Sequence, residues 1–277
     1  MIRGLVAAIA LTASTAAAAH NFWLQPETHT PDPGEQVRVD FKVGDAGAEA
    51  SDWGVYWERI ASVRLYGPDG ATDQQGAVRT TTRGETGTAL VSVEQPGSYA
   101  LSFESTPSFS DLEGARFDRY VANEGLTAIA EHRAMTRAGE ANGTELYSRR
   151  AKALLQVGDT PTANVTRPIG QTLEIVPLSN PFAMRAGEML EVEVLWRGAP
   201  LEGATLHVIT PSRNPDGDKL LTDADGRASF VLEHGSRYLL TTVWGEPAPN
   251  DRRADYFTIF SSLTFPAPQP SSGADAR

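Results

Sequence analysis

Five histidines and no cysteine bound the chemistry open to this 277-residue chain. Thiol nucleophiles, thiolate metal ligands and disulfides are all excluded. Among the histidines, His20 stands apart, because it follows Ala16-Ala17-Ala18-Ala19 and precedes Asn21-Phe22-Trp23. Arg3, the apolar run from Gly4 to Thr15 and the alanines beyond it have the form of an export signal. Cleavage after Ala19 leaves His20 as the first residue. A terminal histidine offers an α-amine and an imidazole nitrogen to one cation, a chelate suited to nickel, cobalt, copper or zinc. Cleavage after Ala18 satisfies the same small-residue rule and abolishes the chelate.

One more imidazole would give three nitrogen donors, and His29, His132, His207 and His234 are the candidates. His132 is the partner we expect, beside Glu131 on a predicted helix able to fold toward the chain start. His207 sits between Leu206 and Val208 in a predicted strand, and His234 at a turn beside Gly235. Asp216, Asp218, Asp223 and Asp225 have an oxygen-rich spacing, yet the twelve-residue calcium loop with its closing glutamate is missing. Asp-Gly pairs of this kind make ordinary turns. Arg149, Arg150 and Lys152, with Arg133 expected on a facing helix, could receive an anion or pair with Glu124 and Glu145.

The chain carries no G-x-S-x-G, no H-E-x-x-H and no phosphate-cradling loop, so no enzymatic activity is expected. Its 35 acidic against 24 basic residues, a net charge of −11, argue against nucleic acid as a partner. No segment after residue 19 approaches the roughly 18 apolar residues of a spanning helix. The mature chain is therefore expected in the periplasm and not across a membrane.

The elements that must position these groups are mainly β. Val37-Arg38-Val39-Asp40-Phe41 and Leu190-Glu191-Val192-Glu193-Val194 alternate apolar and polar residues, the period of a half-buried strand. The two stretches belong to a duplication: Gly87 matches Gly226, Val91 Phe230, Val93 Leu232 and Tyr99 Tyr238, all at one offset. Turns at roughly 8–12-residue spacing favour antiparallel sandwiches. The fold expected is two immunoglobulin-like or transthyretin-like sandwiches with an inserted α-helical hairpin. Phe117, Tyr120, Val121, Leu126 and Ile129 fall at helical spacing, and Tyr147, Ala151, Leu154 and Leu155 predict a second helix from Thr144 to Gly158. The predicted organisation is a signal at 1–19, a sandwich at 20–110, the hairpin at 111–158, a second sandwich at 171–266 and a disordered tail at 267–277.

Three patches together resemble one family of exported bacterial proteins, a domain of unknown function often labelled NikM-like. They are Ala19-His20-Asn21-Phe22-Trp23-Leu24-Gln25-Pro26, then Phe117-x-x-Tyr120-x-x-x-Glu124-Gly125-Leu126 with Arg133, then Tyr147-Ser148-Arg149-Arg150-Ala151-Lys152. Ser262-Leu263-Thr264-Phe265 is similar to the family's last strand. The resemblance implies handling of a divalent metal, nickel or cobalt by the label, for uptake beside a membrane transporter. Gly198-Ala199-Pro200-Leu201-Glu202-Gly203-Ala204, with Thr222-Asp223-Ala224-Asp225-Gly226, resembles carboxypeptidase-regulatory-like modules and implies a scaffold. The alternative to metal handling is a non-catalytic module that binds a protein or glycan.

Overall fold

The computed structural model describes residues 21–44, 50–235 and 237–268. The expected signal, His20 and most of the expected tail lie outside the described residues. The first half contributes β1 (Asn21–Pro26), β2 (Gln36–Gly44), β3 (Ser51–Asp52), β4 (Val55–Tyr56), β5 (Ile60–Gly67) and β6 (Gly70–Asp73). It continues with β7 (Val78–Thr80), β8 (Glu85–Ser92), β9 (Gly97–Ser105) and β10 (Ser108–Leu112). Helices α1 (Gly114–Glu124) and α2 (Thr127–Thr136) follow, then β11 (Gly143–Val157). The second half is β12 (Leu173–Pro177), β13 (Met189–Trp196), β14 (Ala199–Pro200), β15 (Thr205–Thr210), β16 (Asn214–Leu221), β17 (Arg227–Val231), β18 (Arg237–Pro247) and β19 (Tyr256–Pro266).

The duplication is built into the pairing. In the first half β2 lies between β1 and β8, and in the second β13 lies between β12 and β17. Likewise β9 lies between β5 and β11, and β18 between β15 and β19. Val91 and Val93 enter the first core, while Leu232 enters the second and Phe230 packs against it. The two sandwiches share one sheet, because β11 and β19 pair in parallel from Glu145↔Tyr256 to Ala153↔Thr264. The resulting central sheet runs β16-β15-β18-β19-β11-β9-β5-β6.

Alternation along β11 shows how the layers stack. Ala151, Ala153, Leu155 and Val157 point into the first core, whereas Leu154 points into the second. The two outer sheets therefore cover opposite faces of the central one. Parallel pairing of equivalent strands with opposite faces covered is what an approximate two-fold axis along the β11–β19 seam produces. Glu174 fastens the second half to that seam: its carboxylate accepts Lys152 Nζ at 2.7 Å and the backbone N–H groups of Ile169, Gly170 and Gln171.

Two expectations need correction. The residues from Thr144 to Gly158 do not form a helix; they are β11, a 15-residue strand at the centre of the molecule. Its apolar residues fall at helical spacing because a strand covered on both faces loses its alternation. The helical insert therefore shrinks from 111–158 to α1 and α2, and the first sandwich needs a strand from beyond residue 110. Ala267, placed in the tail, is buried against the second core.

Candidate functional site

The helical period from Phe117 to Ile129, expected as one arm of the hairpin, instead supplies both arms, α1 and α2, which Gly125 separates. Phe117, Tyr120 and Val121 of α1, with Leu126 and Ile129, pack on Val243, Tyr256 and Phe260 of the central sheet. Gly125, at φ 68°, ends α1 in the left-handed conformation that glycine adopts without strain. This places the helices on the same face of the central sheet as β1, whose Trp23 packs on Ile209 and Leu239.

Between hairpin and sheet lies a buried polar cluster. Glu145, Tyr147 and Arg149 alternate along β11 on this face, beside Tyr256, Thr258 and Phe260 of β19. Glu145 is 4% exposed. Its Oε2 accepts Thr258 Oγ1 at 2.7 Å and Tyr120 OH at 3.4 Å. Burial outweighs these hydroxyl partners and pushes its carboxyl up from 4.5 to about 7. Burial likewise raises Tyr120 and lowers Arg149. The Arg149 guanidinium carbon sits 5.5 Å from the ring centres of Phe22 and Phe260 and 5.6 Å from that of Tyr147. The first described strand thus begins directly against this cluster.

The candidate ligands are dispersed. His132, on α2, has Nδ1 3.2 Å from Tyr256 OH and meets that ring edge-on. His207 Nε2 lies 3.4 Å from Glu124 Oε2 without hydrogen-bond geometry, where Lys219 also donates to the Asn123 carbonyl at the end of α1. His29 Nδ1 donates to the Leu154 carbonyl at 2.7 Å, and burial holds its ring near pKa 4. His234 is exposed, with Nδ1 3.1 Å from the Pro268 carbonyl. Among the described residues no three His, Cys, Asp or Glu side chains gather as metal ligands. Asp223 spends its carboxylate on the backbone N–H groups of Asp225 and Arg227, as the turn reading expects.

The anion-receiving cluster is corrected as well. As β11 is a strand, Arg149 faces the hairpin, while Arg150 and Lys152 face the other way toward Glu104 and Glu174. Arg133 is saturated by Asp118 at 2.6 Å and by the carbonyls of Ala138 and Ala141, with Phe117 beneath it. The Glu145 cluster was missed in the sequence, and period-two alternation of Glu145, Tyr147 and Arg149 is the only local signal that could have shown it.

A family model described as Domain of unknown function (DUF4198) matches residues 17–246. The chain belongs to that family. No curated protein matches this DUF4198 chain. It is similar to the D0-D1 domain of Intimin at 10% identity and TM-score 0.21, over 88% of this chain and 97% of that one. Dimeric latent PorU from Porphyromonas gingivalis gives 12% identity and TM-score 0.18, over 87% and 20%. The Bacillus anthracis TIE protein gives 10% and 0.17, over 94% and 57%. Among the described residues no helix is long and apolar enough to cross a membrane.

Proposed function

We propose that this DUF4198 protein is an exported, periplasmic accessory protein that binds or relays a divalent transition metal for uptake. The ion would be nickel or cobalt, or else copper or zinc, held by the α-amine and Nδ1 of His20 once residues 1–19 are removed. The supporting observation is the anchoring of the next residues: Phe22, Trp23 and Leu24 are 3%, 0% and 0% exposed. A chelate followed at once by a locked strand loses little conformational entropy on binding, which favours affinity. A bidentate donor leaves coordination positions for water or for a transporter's own ligands, which suits hand-over better than storage. His132 remains the second imidazole of this proposal, through the Nε2 that its contact with Tyr256 leaves unused. The resemblance of the three sequence patches to NikM-like proteins motivates the same reading.

Intact mass of the mature chain and calorimetric titration with nickel, copper and zinc test the reading. The expected result is a chain beginning at His20 that binds one ion more tightly than about 0.1 mM, or about −5.5 kcal/mol. His20→Ala should weaken binding at least tenfold. Retention of Ala19, or equal binding by both proteins, overturns it.

A specific observation supports the interaction-module reading as the second. Tyr56, Trp57 and Phe109 are exposed, and Arg59 Nη1 donates to the Pro107 carbonyl at 3.1 Å, tying their segments together. Glycan or protein binding that Trp57→Ala abolishes and metal does not affect would favour that reading.

A further inference from the structure

The Glu145 carboxylate sits where three separately formed pieces of the fold meet. On β11 it lies opposite Ser110 of β10 on one side and Tyr256 of β19 on the other. Above it stands α1, whose Tyr120 hydroxyl reaches its Oε2. Among the described residues it has hydroxyl partners but no ion pair. A neutral carboxyl satisfies this setting, because it can both donate to and accept from hydroxyls. An ionised carboxylate accepts only, and it carries its charge into an apolar layer formed by Phe117, Val121, Leu126 and Phe260.

We propose that Glu145 is a proton-operated latch for the helical hairpin. With the carboxyl protonated α1 stays docked on the central sheet, and with it ionised α1 opens more often. This proposal does not depend on the metal reading. The groups facing Glu145 from each packed element are Tyr120 on α1, Ser110 on β10, Tyr147 and Arg149 on β11, and Tyr256 and Thr258 on β19. Behind them stand Glu124 of α1 and, through Tyr256, His132 and Arg133 of α2. Arg149 attracts the ionised form, but burial is the larger influence on the carboxyl. The titration falls near neutrality, so ordinary changes of external pH would operate the latch. Opening α1 would also uncover Phe260, one of the rings around Arg149 at the start of β1.

Amide hydrogen exchange on the full mature chain tests the latch, comparing wild type with Glu145→Gln at about pH 5 and pH 8.5 after correction for intrinsic rates. In wild type the opening constant of α1 amides should rise on the order of 100-fold between the two conditions. In Glu145→Gln it should stay within about threefold, at the protected level. A rise shared equally by β18 amides, or a rise that survives in Glu145→Gln, overturns the proposal. A direct carboxyl-carbon NMR titration of wild type covers the case in which the variant fails to fold. A midpoint between about pH 6 and 8 supports the latch, and one below about pH 5.5 overturns it.

Discussion

The two halves of the molecule share six equivalent strands and close their sandwiches differently. In the second half β18 passes to β19 through residues 248–255, whereas in the first half β9 reaches β11 only after β10 and both helices. The inserted hairpin spans the seam: it packs on Leu112 and Tyr147 of its own half and on Val243, Tyr256 and Phe260 of the other. The difference teaches where polar chemistry became buried. Lys152 and Glu174 form a 2.7 Å pair with both side chains at or below 2% exposure, and backbone donors complete the carboxylate. Under the hairpin, Glu145 is buried with hydroxyl partners instead.

Removing one partner of the complete pair is the most damaging way to probe this contrast. Lys152→Met leaves Glu174 as an uncompensated buried charge, and urea denaturation should show a loss of about 3–5 kcal/mol. The double variant Lys152→Met with Glu174→Leu should recover most of that loss. If the single variant costs under about 1 kcal/mol, the pair is not what fastens the second half to the seam.

The incomplete cluster should respond to pH. The Glu145 pKa is raised from 4.5 to about 7 on folding, so the folded state holds the proton more tightly. Its contribution is fully present below pH 4.5 and is lost as pH rises through about 7. Glu145→Gln should therefore gain about 3 kcal/mol relative to wild type at pH 8 compared with pH 4.5. His29 acts in the opposite sense: its pKa falls from 6.5 to about 4, so its contribution is lost as pH drops through that window. Comparing the variant with wild type at each pH cancels the His29 effect, and equal denaturation midpoints at both ends would remove Glu145 from the account.

The smallest effect should come from the matched tyrosines. Tyr99 OH donates to the Gln95 carbonyl at 2.8 Å, and Tyr238 OH accepts the Glu233 N–H at 2.7 Å. Tyr99→Phe and Tyr238→Phe should each cost about 0.5–1.5 kcal/mol in thermal or urea melts. A difference above about 2 kcal/mol would show that the duplicated positions no longer do equivalent work.

These same tyrosines made the duplication legible, since Gly87, Val91, Val93 and Tyr99 keep their spacing in Gly226, Phe230, Leu232 and Tyr238. Helix α1 was legible too, because only one of its faces is buried and its period survives. Strand β11 was not: from Ala151 to Val157 every residue is buried, so nothing distinguishes inside from outside. The Glu145 cluster joins residues 113 positions apart in Thr258 and 25 apart in Tyr120, a juxtaposition that only the fold creates. Its members looked like the surface of a helix because their strand did.

The seam between β11 and β19 also sets an order of assembly. Strand β11 has its full set of backbone partners only after the segment Tyr256–Pro266 arrives. A chain emerging N-terminus first therefore holds this edge of β11 open until a segment about 100 residues further on is free, and such distant pairing is slow to form. Truncation before residue 256 would strip a long hydrogen-bonding edge from both halves at once.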